Sequence, residues 1–168
     1  SDEISIFPEG VGKEYFLVLQ VPESLTFNGT SNQTDSPTIL LIKDKEGICN
    51  MRLTFVNLKP VKNKRPLEEG LDKTLDKLSQ RLLPDSVESK ISIQKLSESK
   101  IPIIYYELTD KREDAGDGRY VLEGVGLSDR CYCHFTILMQ QKTSSGKEEL
   151  LNMLASMDIN KKITQLSK

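Results

Sequence analysis

The chain has 168 residues, 37% of them apolar and 29% charged, with 23 Lys plus Arg against 25 Asp plus Glu for a formal charge of −2. These proportions exclude a collagen, a coiled-coil rod and a disordered tail, and they fit one globular domain able to bury a core without disulfides or metal. The near balance of charge speaks against nucleic acid as a partner, since such modules carry a basic excess, and no apolar run approaches the roughly twenty residues of a membrane span.

The first apolar run, residues 15–21 (YFLVLQV), is rich in aromatic and β-branched residues and ends at Pro22, which predicts a well-buried strand. Residues 24–37 read as a polar loop, carrying the sequons Asn28-Gly29-Thr30 and Asn32-Gln33-Thr34. Strands are expected over 38–43 and 48–58, joined by a turn at Asp44-Lys45-Glu46-Gly47. Alternation in the second of them puts Cys49, Met51, Leu53 and Phe55 on one face and Asn50, Arg52 and Thr54 on the other.

After Lys59-Pro60 the period changes. Leu67, Leu71, Leu75, Leu78 and Leu82 recur at three- and four-residue steps, one stripe of an α-helix, with Pro66 in its first turn and Pro84 stopping it after Leu83. Four strands are expected next, over 89–96, 101–108, 119–127 and 131–140, with short connections that make an antiparallel meander. Ser145-Gly146-Lys147-Glu148 reads as a capping box opening a last helix, whose apolar face is Leu150, Leu151, Leu154 and Met157. Residues 160–168 are a weakly patterned tail. The expected fold is therefore α+β: a single domain over 1–168 with its core at about 13–159, in which a mostly antiparallel sheet of six to seven strands packs with helices.

Cys131-Tyr132-Cys133-His134 brings two thiols and an imidazole within four residues, yet strand alternation sends the thiols to one face and His134 to the other, so one metal cannot gather them. Cys49 also falls on an apolar face. All three thiols are expected in the core, the alternative being one disulfide from Cys49 to Cys131 or Cys133. His134 is the sole histidine and stands near no nucleophile motif; it reads as a solvent-facing or partly packed strand residue. Asp110, Glu113, Asp114 and Asp117 crowd one loop, but a calcium loop counted from Asp110 would put Arg112, Ala115 and Val121 at ligand, turn and closing positions, so a solvated hairpin tip is expected. Gly124 and Gly126 share a strand face, which predicts close approach by a neighbour or a bulge. Lys59, Lys62, Lys64 and Arg65 are the only basic cluster and the candidate interaction patch, suited to an acidic partner or anionic head groups, or else a polar connection. No catalytic residue, metal site or cofactor is expected.

Three segments taken together, YFLVLQVP at 15–22, LEEGLDKTLDKLSQRLL at 67–83 and CHFTILMQQKTSSGKEELLNMLASM at 133–157, resemble the PsbP-like α/β/α-sandwich superfamily. That superfamily includes the photosystem II extrinsic subunit, a Ran-binding import factor and bacterial domains of unknown function. The resemblance implies an accessory or binding protein rather than an enzyme, bacterial and exported to the periplasm or cell envelope, contacting a protein. It lends no functional residue. A chain that opens at Ser1 rather than Met is expected to be processed or trimmed there, and a cytoplasmic location is the alternative. The alternative in function is a small-ligand binder or an enzyme with a pocket between sheet and helix.

Overall fold

The computed structural model describes residues 2–6, 15–28, 38–57, 67–128 and 131–161. Ten strands and two α-helices are built from them: β1 (Asp2–Ile6), β2 (Tyr15–Val21), β3 (Leu25–Asn28), β4 (Thr38–Asp44), β5 (Cys49–Asn57), α1 (Leu67–Ser79), β6 (Gln94–Lys95), β7 (Ile103–Thr109), β8 (Tyr120–Leu127), β9 (Cys131–Met139), α2 (Ser145–Ala155) and β10 (Asp158–Lys161). Seven strands form one antiparallel sheet in the order β3-β4-β5-β9-β8-β7-β6, and β1-β2-β10 form a second, smaller one. The fold is thus mixed α+β with a mostly antiparallel core.

Alternation on the large sheet makes two apolar faces. One carries Leu40 and Ile42 of β4, the four β5 residues expected together, and Cys131, Cys133, Phe135, Ile137 and Met139 of β9; β2 covers it through Leu19 and Val21, and α2 through Leu150, Met153 and Leu154. On the other face, among the described residues, the buried apolar cluster lies over β7 and β8, where Leu71 and Leu75 of α1 meet Ile104, Tyr106, Leu108 and Val125. The two helices therefore lie on opposite faces of the sheet. Leu78 and Leu82 pack at the rim of the α1 contact while half-buried, and the side chain of Leu67 falls outside the described residues.

Several boundaries differ from those the pattern predicts. The loop expected from residue 24 contains β3, whose Leu25 is buried opposite Asp44. The strand expected over 89–96 shrinks to Gln94–Lys95, because only Ile91 of the preceding stretch packs on the core while Ile93 is open. The leucine helix ends at Ser79, and Leu82, the last of the stripe, stands at the N-cap of a 3-10 turn over Leu83–Asp85. Ser144, not Ser145, caps α2: its Oγ accepts from Lys147 N at 3.1 Å. β10 takes residues 160 and 161 from the expected tail and pairs with β2, and β1 pairs with the opposite edge of β2.

Gly124 is the close approach that the sequence flags. A Cβ there would run into the Phe135 ring and come within 2.6 Å of Ile104 O, so the Phe135 ring of β9 fills the space that a side chain would take. At Gly126 a Cβ would sit 2.8 Å from Cys133 Sγ.

Candidate functional site

A helix is about 10 Å across with its side chains and strands lie about 4.8 Å apart, so one helix screens roughly two strands. α1 screens β7 and β8. On the same face, among the described residues, no helix covers β4, β5 and β9, and the side chains there are open: Leu41 is 51% exposed, Val56 42% and Leu138 41%. With β3 as its rim this half-sheet forms a trough of about 580 Å³, floored by Leu41, Arg52, Thr136 and Leu138.

The register fixes what stands beside what. Leu41, Arg52, Thr136, Glu123 and Tyr106 form one row across β4, β5, β9, β8 and β7; Lys43, Asn50 and Leu138 form the next row, and Ile39, Thr54 and His134 the row on the other side. Arg52 therefore has Leu41 and Thr136 as its direct cross-strand neighbours, with Lys43, Leu138 and His134 on its diagonals. Lys43 faces Thr26 and Asn50.

At the border between the covered and open halves sits a buried polar cluster. Tyr106 Oη donates to Glu123 Oε1, and Glu123 Oε2 lies 2.9 Å from His134 Nε2. Tyr106 is wholly buried and Glu123 is 5% exposed, whereas the His134 side chain is 29% exposed. Burial pulls the Glu123 carboxyl upward, but the hydrogen bonds from His134 and Tyr106 and the charges of His134 and Arg81 outweigh it and hold the group below its ordinary range. Glu123 is thus ionised and accepts only, so Nε2 of His134 carries the hydrogen. Burial raises the Tyr106 phenol, and so does the carboxylate beside it. The cross-strand neighbours of His134 are Thr54 and Val125, so neither a Ser nor a Cys stands directly beside it.

A second polar cluster ties the β4–β5 hairpin to α2. Asp44 Oδ1 accepts from Cys49 N at 3.1 Å, Cys49 Sγ lies 3.2 Å from the capping Ser144 Oγ, and Lys147, 8% exposed, pairs with Glu107 and donates to Lys142 O at 3.1 Å. Burial pushes the Cys49 thiol up, against the Ser144 hydrogen bond. A protonated thiol is no nucleophile, so this cluster joins elements rather than reacting.

β9 separates Cys131 and Cys133 from His134 by alternation, and among the described residues no group of three or more His, Cys, Asp or Glu is placed to hold a metal. The disulfide alternative fails on register: Cys49 stands opposite Met139 and Cys133 opposite Phe55, at the two ends of one ladder, and all three thiols are free and buried. Asp110 is tied to Arg112 at 2.9 Å instead of facing a shared centre. The expected patch of Lys59, Lys62, Lys64 and Arg65 lies outside the described residues, as does Asn32. The strand pattern puts Arg52 on a polar face without marking it as a site, and no motif points to Glu123. A carboxylate inside the apolar run YVLEGVGL was the signal, because such a group is buried only with partners.

No protein-family model matches the sequence, and no curated protein matches it. Among solved structures, the chain is similar to a protein of Bacteroides thetaiotaomicron VPI-5482, at 9% identity and a TM-score of 0.51. The match covers 89% of this chain and 49% of that one, so this chain spans about half the length of its structural neighbour. A likeness at this identity concerns the fold alone.

Proposed function

We propose that this chain is a binding protein, without catalytic chemistry of its own, that docks a protein partner on the open β4–β5–β9 half of its large sheet. The carrying observation is the exposure of Leu41, Val56 and Leu138 on one continuous sheet face whose other half is sealed by α1. Exposed apolar side chains gathered on one face, ringed by Thr, Asn, Lys and Arg, have the composition of an interface centre with a polar rim. Among the described residues the trough has a floor and a rim but no roof. It suits a macromolecular segment better than a small molecule, which needs most of its surface enclosed. The element order, with one helix on each face of the sheet, supports kinship with PsbP-like α/β/α sandwiches, whose members act as accessory proteins.

Immobilised wild-type chain should retain a defined set of proteins from an extract of its own cells. Leu41→Asp/Leu138→Asp should lose that set, while Val87→Asp, at a 64% exposed site elsewhere, should keep it. Retention of the same set by the sheet-face variant, with its circular dichroism unchanged, overturns the proposal.

A second reading has one observation in its favour. A hollow of about 460 Å³ lies between α1 and residues 95–104, lined by Leu71, Ile101, Ile103 and Ile104 with Lys95 and Lys100 nearby. It would admit a small apolar ligand, and Leu71→Trp should fill it without touching the open sheet.

A further inference from the structure

Side chains on a sheet face interact in cross-strand pairs, and an opposite charge directly across stabilises a Lys or Arg placed there. Lys43 and Arg52 have none. Both are exposed, their direct neighbours Thr26, Asn50, Leu41 and Thr136 are all uncharged, and each stands on the other's diagonal. Like charges at diagonal positions, about 7–8 Å apart, repel. Among the described residues neither cation has an ion-pair or hydrogen-bond partner, and no carboxylate lines the trough. The nearest acid across the sheet, Glu123, is already committed to Tyr106 and His134.

We infer that the open half-sheet takes an acidic segment of a partner protein, in which two carboxylates about 7 Å apart meet Lys43 and Arg52 while flanking apolar side chains meet Leu41 and Leu138. The inference rests on the docking reading above and adds the chemistry of the occupant. Alternate residues of an extended chain lie about 7 Å apart on one side, which matches the diagonal from Lys43 to Arg52. Arg52 has an exposed leucine directly across on β4 and another diagonally across on β9, so carboxylate and apolar contacts fall within one short segment. The guanidinium takes a carboxylate through two parallel hydrogen bonds, which gives the site direction as well as charge.

Three synthetic peptides test this: one with glutamate at alternate positions between terminal leucines, one with glutamine replacing glutamate, and one with lysine. Each is titrated into the ¹⁵N-labelled chain to millimolar concentration, with a single-stranded oligonucleotide and phosphatidylglycerol vesicles as further probes. The acidic peptide should shift the amides of Leu41, Lys43, Arg52 and Leu138, bind at least tenfold more tightly than the glutamine peptide, and lose at least tenfold in Lys43→Glu/Arg52→Glu. That variant should in turn bind the lysine peptide better than wild type does. Equal binding of the acidic and glutamine peptides on this face overturns the acidic occupant and leaves the docking surface standing. No shift on this face with any peptide overturns the acidic occupant, and the extract experiment then decides the docking surface independently. A stronger response to the oligonucleotide or the vesicles replaces the protein segment with those anions.

Discussion

Glu123 and His134 stand on neighbouring strands, two residues out of register and so on one face, with Oε2 and Nε2 2.9 Å apart, and this contact marks the seam of the sheet. On one side of it lies Tyr106, sealed beneath α1; on the other lies the open floor around Arg52. A buried carboxylate survives there because Tyr106 and His134 both donate to it.

Glu123→Gln should destabilise the fold by about 1–3 kcal/mol at neutral pH, since it removes the charge that two donors were arranged to meet. The pH dependence has a definite sign. The Glu123 carboxyl is depressed in the folded state, so its stabilisation is fully present above the ordinary carboxylate range and is lost as pH falls through the lower folded value. Urea midpoints measured from pH 7 down to pH 3 should therefore fall more steeply for wild type than for Glu123→Gln, and parallel curves would count against the cluster.

Gly124→Ala should cost more than a surface glycine does. The added methyl collides with the Phe135 ring and with Ile104 O, and the backbone carbonyl cannot turn aside, so about 1–3 kcal/mol is expected from overpacking. Gly70→Ala, where nothing lies within 4 Å, should instead stabilise α1 by up to about 1 kcal/mol. Thermal denaturation of the two variants checks the contrast.

Capping of α2 separates two adjacent serines. Ser144→Ala should cost about 1 kcal/mol, because Ser144 Oγ accepts from Lys147 N, while Ser145→Ala should stay within about 0.5 kcal/mol. The reverse order would restore the capping box that the sequence suggests.

The thiols should be silent in the native chain. Burial pushes Cys131 up to about 11 and raises Cys133 and Cys49 as well, and all three are 6% exposed or less. Ellman's reagent at pH 8 should titrate none of them within minutes and all three in guanidinium. One fast thiol in the native state would contradict the burial of these strands.

Much of the fold is legible in the chain. The alternation of Cys49, Met51, Leu53 and Phe55, the leucine stripe of α1 and the meander from β7 to β9 are periodic signals, and each appears where its period places it. What sequence could not show is pairing. β3, β6 and β10 are two to four residues long, too short to carry a period, and their partners are set by tertiary contact. The division of the helices between two faces has the same cause, since an apolar stripe says that a face is covered and not which one. The candidate site lies outside any motif: Arg52, Leu138 and Glu123 belong to three strands, and only the register makes them neighbours.

The openness of the β4–β5–β9 half-sheet is the claim on which the docking surface and its acidic occupant both depend, and cysteine accessibility measures it directly. Leu138→Cys and Leu75→Cys should be compared in native buffer with a water-soluble maleimide. The account predicts that the thiol at position 138 is labelled at the rate of an unfolded control and the thiol at 75, beneath α1, at least a hundredfold more slowly. Equal protection at both positions, in variants that retain the native fold, would mean that this face of the sheet is covered.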